Sequence, residues 1–591
     1  MSYSAPQSSG KPLSYRDRLQ RRAGAMKQER MSWDAHVRDV FDQTRPRRTR
    51  FSQSQTNKGD RRNQQIVNNT GVRATRVLVS GLVNGMSSPA QPWFKYEPDD
   101  LELLEYGPVK EWLGQLERLV RRIFNKSNVY EALPTIYEEL ILAGTGAGLV
   151  EDHFDDVIRV FPFTWGEYTL ALNKDRRVDT LYRDMRMSVL QCVDSFGLGN
   201  VSTTIKTLYD NSEYDQWVDV MHAVEPNPHY DPDKADAASM QFCSVYWEPA
   251  SSGPDGQKLL RKGGYRENPI IAPRWDVIGY DVYGSSSPGM EALGDMRQLQ
   301  IQVKRKGEAI DKQVRPPTQG PASLADRFVS QLPGAHNVVA NTAEGGIKPV
   351  FEVQPNLQYF IADIQETEQR IEDTFFVPYI LSISQMEGVQ PRNQWEISER
   401  KGEGLAVLGP AVQRLQGELH NPLHNRVLNR IYDVCIPLWT IGAPAMLPPP
   451  PPELQGRPIA INYISALAQV QKASALSGME RLMNTVANPN VVQAYPEIRH
   501  KVDAQQWVDE FADHIGLPPR IVRSDEQVQA LAEAEAQQQQ MQQMAQMAQP
   551  AKDIAQAGKA LSETHVGGGK GAMEAMIDNA REAQDQTPEA A

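Results

Sequence analysis

The chain has 591 residues, too many for one hydrophobic core, so several packed regions are expected. Hydrophobic residues at 40% and charged residues at 23% are ordinary globular usage, while 41 prolines and 41 glycines predict many connections and punctuated helices. The net charge of -12 excludes a generic DNA coat, which needs Lys and Arg to neutralise phosphates. Cys192, Cys243 and Cys435 lie far apart without paired or metal-ligand spacing, which excludes a disulfide framework and predicts buried small apolar side chains. The N-terminus MSYSAPQSSGKPLSYRDR has no apolar h-region, and stretches such as ELILAGTGAGLV are too short to span a bilayer, so a cytoplasmic product without membrane insertion is expected. Charge is uneven: residues 1–62 hold fifteen Lys/Arg against six Asp/Glu, and residues 523–591 hold five against eleven, so the two ends want different neighbours.

In chain order, YRDRLQRRAGAMKQERMSWDAHVRDVFDQ is a basic helical stretch that runs into the basic loop RPRRTRF. Residues 64–85 read as a helix ended by Pro89 and Pro92, followed by Trp93, Phe94 and Tyr96, aromatics that belong to a core more often than to a ligand. From Gly107 to Leu142 the spacing is helical, with Val109, Trp112, Leu113, Leu116, Leu119 and Val120 in one stripe of a core-facing helix pair. The period then changes to two: VIRVFPF, RVDTLYR, QWVDVMHAV and MQFCSVYWE read as strands, with NKD at 173–175 as a turn. A mixed α/β region thus spans roughly residues 100–285.

Residues 286–312 read as a long helix with proline near its start, stopped by Pro316 and Pro317; its length corresponds to roughly 40 Å. HNVVA and IKPVFEV flank NTAEGG as a hairpin with glycines at the turn. LQYFIADIQETEQRIEDTFF then returns as a second helix, with Leu357, Phe360, Ile361, Ile364, Ile371 and Phe375 on one side and acids opposite. The run EISERKGEGLAVLGPAVQRLQGELHNPLHNRVLNRIYDVC is helical, with bends expected at Gly409, Pro410 and Pro422. Pro448 to Pro452 form a stiff spacer before an all-helical section, INYISALAQVQKASALSGMERLMNTV and KVDAQQWVDEFADHIG. Ser524 and Gln527 have capping-box spacing, and Val528, Leu531, Ala534, Met541, Met544 and Met547 make a narrow stripe. That segment fits either a helix bundling with its own copies or a disordered Gln-rich tail, and residues 550–591 read as disordered.

Chemical motifs are weak. GTGAG at 144–148 follows a helix and lacks dinucleotide-loop spacing, so it reads as a packing turn; in HVGGGKGAM, Gly571 replaces the Ser/Thr of a phosphate loop. His420 and His424 stand four apart, but HNPLH lacks a catalytic Glu and contains Pro422, so they read as ordinary histidines. Asp155 and Asp156 after His153 read as a solvated turn, and no nucleophile–base constellation can be assembled. No catalytic residue, metal or cofactor is assigned.

Several segments in a fixed order resemble the head-to-tail connector (portal) family of short-tailed phages, over about residues 60–525: VLVSGLVNGMSSPAQPWF; the helix into GTGAG; RVFPFTWGEY with RRVDTLYRDMRMSVLQ; NPIIAPRWDVIGYDVYGSSSPGMEALGDMRQLQ; the proline pair; WEISERKGEGLAVLGPAVQRLQGELHNPLHNRV; and INYISALAQVQKA. The resemblance implies a helix-rich α+β subunit of a non-enzymatic dodecameric ring at one capsid vertex. A basic N-terminal segment (1–62) would precede an α/β wing (63–285), a first stem helix (286–315), a small β clip (316–355) and a second stem helix (356–380). A channel loop and bent wing helix (381–447), a helical crown (448–523), a Gln-rich barrel helix (524–549) and an acidic tail (550–591) would follow.

By the same resemblance, Gln385, Glu387, Gln390, Arg392 and Asn393 are candidates for the loop that narrows the channel. Lys304, Arg305 and Lys306 would either form a basic ring in the bore or face solvent or a neighbour. Pro316, Pro317, Val338, Val339, Val350 and Phe351 are clip candidates, offering strand edges to ring neighbours and a patch to the terminase, then to a tail adaptor protein. Major capsid and scaffold proteins are further implied partners. Double-stranded DNA would pass without sequence-specific contact, and copies at -12 each would line much of its path with like charge. The basic N-terminus could reach a neighbouring subunit, the coat or DNA. The protein would reside in the virion after synthesis in the host cytoplasm, without membrane contact. Two rivals are a packaging ATPase or nuclease, which needs a phosphate loop and an acidic metal cluster, and a scaffold or internal core protein, which would not close into rings.

Overall fold

The structure, a computed structural model, describes residues 14–48, 62–100, 106–234, 236–251, 258–314, 357–384 and 408–464, with short stretches elsewhere. Helix α1 (Tyr15–Thr44) begins where the Ser14 hydroxyl accepts from the Asp17 amide. Helix α2 (Thr70–Met86) starts at Thr70 and not at residue 64, because the Asn68 side chain accepts from both the amide and the hydroxyl of Thr70 and holds the preceding turn open. Strand β1 (Phe94–Pro98) follows, and Trp93, Phe94 and Tyr96 are all buried, as core aromatics. Helices α3 (Gly107–Lys126) and α4 (Val129–Ala143) are the expected pair, and all six stripe residues are buried.

Gly144, at φ 69°, caps α4 in the left-handed region, and the chain passes into β2 (Ala147–His153). This strand was missed because Ala147 to Val150 are all buried and show no alternation. Strands β3 (Val157–Phe163), β4 (Tyr168–Leu172) and β5 (Val178–Ser188) come next, and the turn at 173–175 closes on the Asn173 side chain, which accepts from the Asp175 and Arg177 amides. Two eight-residue helices, α5 (Val189–Phe196) and α6 (Thr203–Asp210), are too short to be read from periodicity, although each starts at a serine cap, Ser188 and Ser202. Strands β6 (Trp217–Pro226), β7 (Phe242–Trp247), β8 (Arg261–Tyr265) and β9 (Ile270–Ile271) complete the region.

The strands form an antiparallel five-stranded sheet, order β4-β5-β6-β7-β8, and a three-stranded sheet, order β3-β2-β9. One face of the larger sheet packs Tyr182, Met221, Ala223, Cys243, Val245 and Trp247 against Leu19, Ala23 and Met26 of α1. The other packs Val220, Tyr246 and Leu260 against Val189, Cys192 and Phe196 of α5 and Ile205 of α6. All three cysteines are free and buried.

The helix expected over 286–312 is divided at Ala292 into α7 (Pro288–Glu291) and α8 (Leu293–Val314). Beyond it, β10 (Thr318–Gln319) pairs antiparallel with β11 (Lys348–Pro349), while HNVVA and NTAEGG of the expected hairpin lie outside the described residues. Helix α9 (Leu357–Thr374) ends at Phe376, whose φ of 56° breaks the helix before α10 (Val377–Ser384). Ile361, expected on the apolar side of α9, is exposed and Phe360 only half-buried.

Helix α11 (Gly409–Leu415) runs through a π turn, Gln416–His420, into α12 (Asn421–Thr440). The bend expected at Pro422 is therefore a widened turn: proline lacks an N–H, and the wider turn relieves the clash of its ring with the preceding carbonyls. INY, read as the start of a helix, lies in β12 (Ile459–Tyr463), which pairs with β1. Long-range pairing overrides the local pattern there, the Ile464 amide donating to the Trp93 carbonyl.

The described residues fall into two compact units, one built from segments within 1–97, 113–450 and 458–516, the other from 98–112, 451–457 and 517–591. In the second, Arg457 pairs with Asp100, residues 533–539 are helical, and β13 (His565–Val566) pairs antiparallel with β14 (Lys570–Gly571). HVGGGKGAM thus carries a short strand pairing within a tail expected to be disordered. No described helix is long and apolar enough to cross a membrane.

Candidate channel and subunit-contact site

Helices α8 and α9 run antiparallel, tied by Gln302 to Asp363 and by Arg370 to Asp295 at 3.1 Å. Between them Met296, Leu299, Ile364, Thr367 and Ile371 are buried. The start of α2 is fastened to both. Gln300 accepts from the amides of Val67 and Asn68 and donates to the Asn68 carbonyl, Asn68 donates to Glu368, and Arg73 pairs with Glu372. Two glycines allow the close crossings: a Cβ on Gly71 would stand 2.6 Å from Met296 Sδ, and one on Gly81 would stand 2.6 Å from Ile380 Cγ2.

Away from this root the pair is uncovered. Ile301 is 51% exposed, Val314 70% and Tyr359 76%. Lys304 and Arg305 are exposed and Lys306 is half-buried on α8. The structure thus brings these three basic candidates together on one helix. The channel-loop candidates Gln385, Glu387, Gln390, Arg392 and Asn393 lie outside the described residues, as do the clip candidates Pro316, Pro317, Val338, Val339, Val350 and Phe351.

The cations of α1, which sequence reasoning left open between a neighbour, the coat and DNA, are largely spent within the chain. Arg16 donates to the carbonyls of Glu248 and Ser251, Arg22 pairs with Glu225 at 2.6 Å, Lys27 with Asp184 at 2.6 Å, and Arg30 with Asp34 while donating to the Gly166 and Tyr168 carbonyls. Arg45 pairs with Glu138, and Arg48 with Glu138 and the fully buried Glu139. The basic helix is a strap across the larger sheet, and α4 supplies the carboxylates that anchor its end.

His420 and His424 lie on one face of the helix, as their spacing requires, and are fully buried. His420 Nε2 is 3.0 Å from the Tyr137 hydroxyl, and Trp93, Phe94, Phe124 and Tyr463 close around the two rings. Burial pushes His420 down to about 3 and His424 well below its usual range, so both stay neutral. His222, also fully buried, accepts from Arg183 at Nδ1 and stacks on Tyr246 with ring centroids 3.9 Å apart. No local pattern points to this row, which forms only when β5, β6 and β7 pair in register, Arg183 opposite His222 and His222 opposite Tyr246. Within the π turn, Glu418 accepts from the guanidinium and the backbone amide of Arg274, an arginine whose side chain is 5% exposed.

The model of the bacteriophage head to tail connecting protein family matches residues 16–522. The chain belongs to that family. A portal protein of Salmonella phage epsilon15 is 41% identical over 550 residues, covering 93% of this chain and 96% of the relative. A probable portal protein of Bordetella phage BPP-1 is 39% identical over 520 residues, covering 88% and 90%. A chain of the virion of a native gene transfer agent particle covers 75% of this connector at 11% identity, with a TM-score of 0.27 too low to bear on the fold. The connector is a phage portal protein by family and a virion component.

Proposed function

We propose that copies of this connector close into a ring of twelve at one capsid vertex, and that the bore is the path for duplex DNA during packaging and ejection. In this reading the wing is the sheet region under α1, the stem is the α8–α9 pair, the clip lies between those helices, and the crown follows the proline tract. The terminase would dock at the clip during packaging and a tail adaptor afterwards, with the major capsid and scaffold proteins around the wing. The observation that carries the reading is the family match over residues 16–522, joined to a helix pair whose outer flanks are uncovered in a single chain.

The connector itself would be non-enzymatic. The buried histidines, the side chains best suited to proton transfer near neutrality, are committed to tyrosine or arginine partners inside closed cores. DNA would slide because a net charge of -12 per copy opposes phosphate capture. Purified rings should neither hydrolyse ATP above background nor retain linear duplex in a gel-shift assay at about 0.15 M salt. Robust turnover, or salt-resistant binding of duplex, contradicts the reading.

A further inference from the structure

We propose, resting on the ring reading above, that successive copies meet through the α8–α9 pair and that this contact is two-sided: the basic flank of α8 in one copy docks on the acidic flank of α9 in the next.

The outward stripe of α8 holds Ile301, Lys304, Arg305, Glu308 and Lys312, residues three or four apart and all exposed. From Ile301 onward α8 carries Lys304, Arg305, Lys306 and Lys312 against Glu308 and Asp311. Helix α9 is the opposite, with Asp363, Glu366, Glu368, Glu372 and Asp373 against Arg370. Glu368 and Glu372 are held at the root by Asn68 and Arg73; Asp363, bonded to Gln302, Glu366, paired with Arg370 at 3.0 Å, and Asp373 are all exposed together with Tyr359. Each flank therefore pairs a large exposed apolar side chain with a net charge, positive on α8 and negative on α9.

A two-fold contact would set like flank against like and repel. A heterologous contact sets α8 against α9, covers Ile301 and Tyr359, and repeats from copy to copy until the ring closes. Lys304 and Arg305 then face the next copy and not the bore, where they would grip phosphates and slow sliding.

The test uses two full-length variants whose changes fall on exposed positions. Lys304→Glu with Arg305→Glu makes both flanks acidic; Glu366→Lys with Asp373→Lys makes both basic. Each variant alone should melt like the unaltered chain but sediment as single chains or small oligomers at about 0.1 M salt. Mixed in equal amounts, they should restore ring-sized particles in which the two variants alternate, as read by native mass measurement. Ring assembly by either variant alone, or a mixture that fails to recover rings, overturns the proposal. Absence of rings from the unaltered chain instead overturns the ring reading on which it rests.

Discussion

His424 Nδ1 and the Tyr96 hydroxyl stand 2.7 Å apart in the interior, joining the helix after the π turn to strand β1. Burial keeps the phenol protonated, so Tyr96 donates and the neutral imidazole accepts. Tyr96→Phe removes the donor and leaves a buried nitrogen unpartnered, a loss of about 1–3 kcal/mol. Thermal unfolding of the variant should show it, with the midpoint clearly lowered; an unchanged midpoint contradicts the role given to this pair.

Acid should weaken the fold before it titrates most carboxylates. Burial holds His420 down to about 3, and His424 and His222 well below the usual range, the latter also because Arg183 and Arg261 lie near. A histidine depressed in the fold binds fewer protons folded than unfolded between its folded value and about 6.5. Stability is then complete above about pH 6.5 and falls as pH drops below it, by up to about 1.4 kcal/mol per unit for each histidine. Melting midpoints should be level from about pH 8 to 7 and decline from about pH 6 to 5; a flat profile to pH 5 counts against buried neutral histidines.

Glu418 fixes the π turn to the loop bearing Arg274. Glu418→Ala leaves a guanidinium buried without its carboxylate, and the expected cost is roughly 3 kcal/mol, with a smaller loss for Glu418→Gln, which keeps the shape and an acceptor oxygen. Urea midpoints of the two variants should rank in that order, and equal midpoints to the unaltered chain would show that the pair is not needed.

Glycines in GTGAG act by space. A Cβ on Gly146 would stand 2.7 Å from the Ile136 carbonyl oxygen, whereas nothing lies within 4 Å of one on Gly24, inside α1. Gly146→Ala should destabilise by about 1–3 kcal/mol or more, and Gly24→Ala should stabilise by about 0.5–1 kcal/mol. Melting curves that move in the same direction for both would refute the packing explanation.

What the sequence made legible follows from where its signals are local. The α3–α4 stripe and the alternating strands were readable because each residue's burial is set by one period, 3.6 or 2. Strand β2 and INY were not, because what makes them strands is a partner far along the chain, β3 and β9 for one and β1 for the other. The neighbour of the basic N-terminus stayed open since composition cannot show that Glu138, Glu139 and Glu225 wait on other elements to take its arginines. Lys304 to Lys306 stand out by charge, whereas the bonds of Asn68 to Gln300 and Glu368 that fasten their helix pair join residues far apart in the chain and leave no local pattern.

The most direct test of the ring account is negative-stain microscopy of the purified full-length chain combined with native mass measurement. The account predicts closed annuli with an axial hole and the mass of twelve chains of 66.3 kDa. Single chains, open filaments or irregular aggregates under every salt condition tried would contradict it.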